Sequence, residues 1–459
     1  MELPTHLLSE NFVKTRKITP DMPFEIQEVN ARTLLCPERI DLAAKIAYIE
    51  ARENGGDMAF ARELYRKHIE AFSEGYFVEP GDASKVSLEA FYSAFDSLID
   101  DFKVNGFDSE KSLIPVGEGN ILLDGAHRTA CAIYFQKTVT VIRFPAFTAS
   151  FDYRYFRQRR LSEEMLAYMA VIYSRYAQTQ LYMACLWPAA VESRRENAVE
   201  RIREDHRIVL DKTIMLQKSG LRNFMLQIYQ HQGWIGTPET HFPGVMGKVD
   251  ACFVPGVCTE IVLFEGGTLD EVLAMKDSIG AIFQIGKHAI HISDSNEETR
   301  LMAELLLNEN SLHALNYGKP DTFPDWFRKF KELRSSVASL NAAATASYYG
   351  IQGSEKAVLS ENLVNPFDPR SYFVFDGVKF PALSVIKDSL NGTDSALSRE
   401  VNALLRKGGA NSVRKRKYED AKTRFIWSAQ KAELCCKQFA MRITQKMGLY
   451  EFLHKLHHR

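Results

Sequence analysis

Residues 112–145, SLIPVGEGNILLDGAHRTACAIYFQKTVTVIRFP, decide how this chain is read. Leu113 to Val116 is an apolar run that predicts a strand, Gly117 to Asn120 a polar turn, and Ile121 to Leu123 a second strand. Asp124-Gly125-Ala126-His127-Arg128 comes next, then a helical run, TACAIYF, and a further strand, VTVIRF. Gly125 allows a sharp bend where strand gives way to helix. The first turn of that helix offers unpaired N–H groups and the positive end of a dipole to an anion. His127 and Arg128 add donors, and the guanidinium fork suits phosphate. Asp124, at the strand end, is placed to orient a hydroxyl or help hold a metal. His and Arg in a first helical turn are often plain surface residues; the order of the flanking elements makes this stretch a phosphate site, with Gly125, His127, Arg128 and Thr129 as its contacts.

Working outward, helical spacing of apolar residues predicts two helices between Pro37 and Phe72, and another over 88–106 that ends at Gly106. Residues 1–36 are mixed and are expected to pack on the domain next to them. After an aromatic and basic linking segment, FDYRYFRQRRLSEE (151–164), strands and helices alternate. LYMACLWP, RIVLDKTIML, ACFVP, EIVLFEG and HAIHISDS read as strands, with helices between them. The class is therefore α+β or α/β with several domains, a mixed sheet being covered by helices. The expected divisions are 1–150, 165–320, 321–395 with a hairpin-like pair in SYFVFDGVKFPAL, and a helical tail over 396–459.

With 459 residues, 46% apolar and 25% charged, the chain has the make-up of an ordinary globular protein of more than one domain. Neither a secretory signal nor an uncharged membrane-length run is visible, so the expected setting is the cytoplasm. Seven scattered cysteines with no C-x-x-C pair fit reduced thiols better than a disulfide framework or a zinc site. The net charge of −1 hides an asymmetry: from Ala396 to Arg459 there are fifteen Lys and Arg against five Asp and Glu. That tail is either a packed terminal helix, a surface for the anionic inner face of a membrane, or a partner for nucleic acid.

The strand, D-G-x-H-R, helix arrangement of Asp124 to Arg128 resembles the ParB/sulfiredoxin-like superfamily, over roughly residues 70–150. The D-G-x-H-R form is most similar to its free-serine kinase branch. The resemblance implies a loop that holds nucleotide phosphates or the acceptor, ATP or ADP (or another nucleotide) with Mg²⁺ as cofactors, and a carboxylate N-terminal to the loop that accepts the hydroxyl proton. Glu79 is the candidate base, beside Asp124 and His127 as catalytic residues; Glu74 and Glu118 are its rivals. Partition-type members carry a second basic motif of the E-N-x-x-R kind, of which this chain has no convincing copy.

Residues 180–395 resemble domains of bacterial surface-polysaccharide gene neighbourhoods that often carry a nucleotidyltransferase-like tail. The resemblance rests on LWPAAV, NFMLQIYQHQGWIG, GKHAIHISDSNEET, LLLNENSLHALNYG and NPFDPRSYFVFDGVKFPAL. An active nucleotidyltransferase needs a D-x-D pair to bind its metal; the stretch between Ser347 and Ser371 has none, which implies a degenerate copy. In GKHAIHISDSNEET, Ser293, Asp294 or Ser295 suits a helix cap, with Glu297 and Glu298 in the first turn. The functional reading of the same stretch makes Lys287, His288 and His291, with Asn310, contacts for an anionic substrate. Trp234 suits either a buried position or a stacking platform for a sugar or base.

The first expectation is thus a nucleotide-dependent phosphotransferase acting on a hydroxylated amino acid or sugar, in surface-polysaccharide or phospho-metabolite assembly. Its alternatives are a ParB-like nucleotide-binding regulatory or DNA-binding protein, and a non-catalytic scaffold.

Overall fold

The computed structural model of the chain describes residues 2–77, 85, 87–319, 332, 364–390, 395–407, 418, 420–430 and 432–433. In chain order its first part runs α1 (Glu10–Thr15), β1 (Glu25–Asn30), α2 (Asp41–Glu53), α3 (Ala59–Phe72), α4 (Leu88–Asn105), β2 (Ile114–Val116), α5 (Ala126–Tyr134) and β3 (Thr138–Arg143). The strands form one sheet in the order β1-β3-β2. β2 runs parallel to β3, with α5 as the crossover, while β1 is antiparallel at the other edge. α4 begins where Ser87 accepts the Ala90 N–H and stops at Gly106, whose φ of 71° favours glycine.

The second strand expected at Ile121–Leu123 shrinks to a single bridge between Val116 and Leu122. Gly119 and Asn120 both have positive φ, 62° and 63°, and turn the chain back too tightly for a ladder. The first 36 residues pack on the sheet as expected, through Leu8 and Phe12 against Ile142 and Phe144. They also supply β1, which the sequence hid: an edge strand with only Ile26 and Val29 apolar shows little alternation.

The chain continues through α6 (Tyr153–Gln158), α7 (Glu163–Tyr176), β4 (Leu181–Leu186), α8 (Arg195–Asp205), β5 (Arg207–Ile214), α9 (Lys218–Ile228), α10 (Pro243–Cys252), β6 (Thr259–Glu265), α11 (Leu269–Phe283), β7 (Ile290–Ile292), α12 (Asn296–Leu306) and α13 (Glu309–Tyr317). The second sheet has the order β5-β6-β4-β7, and all three pairings are antiparallel rather than mixed. Its helices return the chain so that neighbouring strands oppose each other, which is the α+β arrangement. Two local expectations change. ACFVP is not a strand, because Val249 and Cys252 bury at helical spacing as α10 ends. The linking segment contains α6, started by Asp152 and anchored by the buried Tyr153 and Phe156. Ser295 caps α12 by accepting the Glu298 N–H.

The hairpin in SYFVFDGVKFPAL forms from β8 (Tyr372–Phe375) and β9 (Val378–Pro381), and α14 (Leu383–Ser389) and α15 (Ala396–Arg406) come after it. Asp376 and Gly377, at φ 49° and 74°, make the two-residue turn that Asp-Gly favours. One face of the hairpin packs on α15, and the other joins a contiguous apolar core that reaches from Ala31 to Val374. α2 lies inside that core, packed on α3, α5 and α7. Ten of its thirteen residues are buried.

Part of the basic tail packs on the body: Asp420 pairs with Lys67 of α3 at 2.7 Å and Trp427 is buried, while Phe425 is exposed. Most of the tail, and most of 321–363 where the D-x-D pair would belong, lie outside the described residues. Among the described residues no helix is long and apolar enough to cross a membrane.

Candidate functional site

α5 starts at Ala126 with Gly125 as its left-handed N-cap, φ 83°, and no side chain caps it. Its first-turn amides are therefore left for an anion or water. Asp124 does not take that place. Its Oδ1 accepts the N–H of Gly125 at 2.7 Å, and its Oδ2 accepts the hydroxyl of Ser9 at 2.8 Å. Arg128 folds back along the helix end. A Cβ built on Gly125 would lie 2.8 Å from its Nη2 and 2.9 Å from the Ile114 side chain. A glycine is thus required twice, for its φ and for the room the guanidinium occupies. Burial pulls the Arg128 pKa down, Asp124 opposing, and no ion pair or hydrogen bond of this guanidinium is found among the described residues. Thr129, fully buried in the next position, has a hydroxyl with no partner among the described residues.

His127 faces the helices instead. Its Nε2 lies 2.8 Å from the Tyr65 hydroxyl of α3, and its ring meets Phe95 of α4 edge-on at 4.8 Å. The two side chains read from the sequence as joint phosphate ligands therefore lie against different elements. Burial, with Lys45 next, holds the His127 imidazole well below its usual pKa, so it is neutral at pH 7.

Behind this loop is a charged network that the sequence did not disclose. Arg39, just ahead of α2, donates to Asp41 from Nε at 2.8 Å and Nη2 at 3.0 Å, and its Nη1 donates to the Leu122 carbonyl. It thereby fixes the strand end that delivers Asp124 and Gly125. Lys45, one turn along α2, lies 2.9 Å from Asp41 Oδ2 and 3.1 Å from His68 Nε2. Arg39, Asp41 and Lys45 are 3%, 1% and 3% exposed, and His68 is fully buried. Burial would raise the Asp41 carboxyl, yet Arg39 and then Lys45 hold it well below the usual carboxylate range. Burial and then Lys45 likewise keep His68 neutral. The network thus holds two cations on one carboxylate, and its field falls on His127. A signal for it exists in the sequence: Asp41 begins, and Lys45 interrupts, the run Leu42–Ile49 of α2 in which all the other residues are apolar, and charges inside such a run must be matched.

The remaining expected residues are dispersed. Glu79 lies outside the described residues; Glu74 pairs with Arg159 at 3.4 Å, and Glu118 is exposed. Lys287 is exposed on a turn, and His288 Nδ1 sits 3.9 Å from the Cys252 sulfur. His291 is buried in β7 between the Tyr229 hydroxyl and the Glu298 carboxylate, each at 3.1 Å. Asn310 donates its amide to the carbonyls of Pro369 and Arg370, tying α13 to the segment before β8. Trp234 is 44% exposed and packs on the Tyr229 ring at 5.3 Å. His291 and Asn310 are thus engaged by protein groups, which accounts for them structurally. Among the described residues no three His, Cys, Asp or Glu side chains gather as a metal site. No protein family, curated protein or solved structure gives a match to this chain.

Proposed function

We propose that the α5 loop binds the phosphates of a nucleotide and that the protein transfers a phosphoryl group to a small hydroxylated acceptor, an amino acid or a sugar. The observation that carries this reading is the uncapped start of α5 beside an Arg128 guanidinium that has no anion of its own among the described residues. Phosphoryl transfer asks a protein mainly for positioning and for positive charge around the transferring group. First-turn amides and Arg128 supply donors here. The Arg39–Asp41–Lys45 network behind them carries one more cation than anion and holds the loop through the Leu122 carbonyl. A neutral imidazole is competent to accept a hydroxyl proton, which gives His127 a place in the reaction different from phosphate binding. Asp124 is the carboxylate beside the loop. A Mg²⁺ ion brought by the nucleotide would find one protein carboxylate there, in keeping with the ion's habit of relying on substrate phosphates and water.

The test incubates the full chain with ATP, ADP or CTP, Mg²⁺ and a panel of serine, sugars and sugar phosphates, and follows phosphorus by NMR. Turnover should be lost in Arg128→Ala with nucleotide binding weakened, and lost in His127→Gln with binding kept. Nucleotide binding without turnover on any acceptor would refute the transfer, and no nucleotide binding at all would refute the site.

A further inference from the structure

A concavity of about 620 Å³, with no α5-loop residue in its lining, lies between the end of α9, one face of α12 and the β8–β9 hairpin. Its volume is that of a small-molecule pocket. Glu297, Arg300, Leu301 and Glu304 line it from α12 at the i, i+3, i+4 and i+7 spacing that shares one helix face. Opposite them stand Asp376 of the hairpin turn and Lys379 of β9. The turn is fixed in place, because Gln230 donates to Asp376 Oδ1 at 2.7 Å and the Asp376 N–H donates to Gln227 at 2.8 Å.

Glu297, Arg300, Glu304 and Lys379 form no ion pair with one another among the described residues. Glu304 is engaged by Arg175 from behind, at 2.7 Å. Lys379 Nζ has only the Pro366 carbonyl at 2.9 Å and the face of the Tyr372 ring, 4.5 Å from its centroid, among the described residues. Arg300 gives its Nε to the Ser174 carbonyl at 3.0 Å, while its two terminal nitrogens have no partner among the described residues. The exposed Glu297 has neither hydrogen bond nor ion pair there. Around the cavity the cations Arg175, Arg300 and Lys379 thus stand with the carboxylates of Glu304 and Asp376, and the Glu297 carboxylate lies at its exposed edge. Burial draws the Lys379 amine down to about 8, with Glu304 pulling the other way.

The geometry points to a binding site for a small zwitterion of amino-acid or dipeptide size, its carboxylate taken by Arg300 and Lys379 and its ammonium by Glu297. A ligand with one charge satisfies only one end of the cavity and leaves the other unmatched. The site is separate from the α5 loop and does not depend on phosphoryl transfer.

Isothermal titration of the full chain with glycine, L-alanyl-L-alanine and 6-aminohexanoate, and with ethylamine and propionate as single-charge controls, tests this and fixes the spacing of the two charges. At least one zwitterion should bind with the controls silent. Glu297→Gln and Lys379→Met should each weaken it roughly tenfold or more, the scale of a lost charged hydrogen bond, and Arg128→Ala should leave it unchanged. Glu297 makes no contact among the described residues whose loss would unfold the chain, so that variant reports on the site itself. Silence from all three zwitterions, equal binding by a control, or unaltered affinity in Glu297→Gln would overturn the proposal.

Discussion

Replacing Asp41 by Asn tests whether the carboxylate at the start of α2 is what lets two cations sit inside the core. The side chain is nearly isosteric, so packing is kept and charge alone is removed. Arg39 and Lys45 then lose the carboxylate they share, at positions 3% exposed or less. Breaking a buried pair from one side costs about 3–5 kcal/mol, since the orphaned charge stays desolvated. Here two partners are orphaned, so the upper half of that range is expected. At about 2 °C per kcal/mol for a large chain, the melting temperature should fall by about 8–10 °C. The companion variant Lys45→Met removes one of the stranded cations, and Asp41→Asn with Lys45→Met should recover part of the loss. Coupled sites of this kind interact by about 0.5–3 kcal/mol. Calorimetric melts of wild type, both single variants and the double variant complete the cycle. Asp41→Asn melting with wild type, or a double variant no better than the sum of its parts, would refute the reasoning.

Two further outcomes are expected of the same region. His68 and His127 are held neutral in the fold, below their unfolded value of about 6.5, so as pH falls through 6.5 the unfolded chain takes up protons that the folded chain refuses; urea titrations from pH 7 to 5.5 should show stability declining by up to about 1.4 kcal/mol per pH unit for each histidine, with His127→Gln removing one share of that slope. Asp41 has the opposite chemistry and adds to acid sensitivity only below about pH 4, where its unfolded counterpart protonates. Gly125→Ala puts a Cβ in a left-handed position against Arg128 and Ile114, and should cost about 1–2 kcal/mol in the melt while weakening nucleotide binding, as the guanidinium must move.

The turn into α5 is legible because its signal is local: a bend, a helix start and two basic residues are contiguous between Asp124 and Arg128, and the flanking strands β2 and β3 are rich in apolar residues. That His127 and Arg128 lie against different elements was not legible, since it depends on Tyr65 and Phe95, some sixty and thirty residues earlier on α3 and α4. Arg39, Asp41, Lys45 and His68 escaped notice for the same reason, reading as ordinary helical charges until α2 was seen to be enclosed. Among the elements, strong periodicity found the helices from α2 to α4 and the buried strands β4 and β6. It failed at β1, whose polar edge gives no alternation. At Ala251–Pro255 a short apolar run reads equally as strand or helix end.

Enclosure of α2 has a practical consequence for dissecting the protein. Its Leu42, Ile46 and Ile49 belong to the same apolar body as Leu166, Met169 and Tyr173 of α7. A fragment ending near residue 150 would expose to water a flank that evolved to be covered, and would be expected to aggregate. Functional assays on the loop therefore belong to the intact polypeptide, and a silent N-terminal fragment would say nothing about its chemistry.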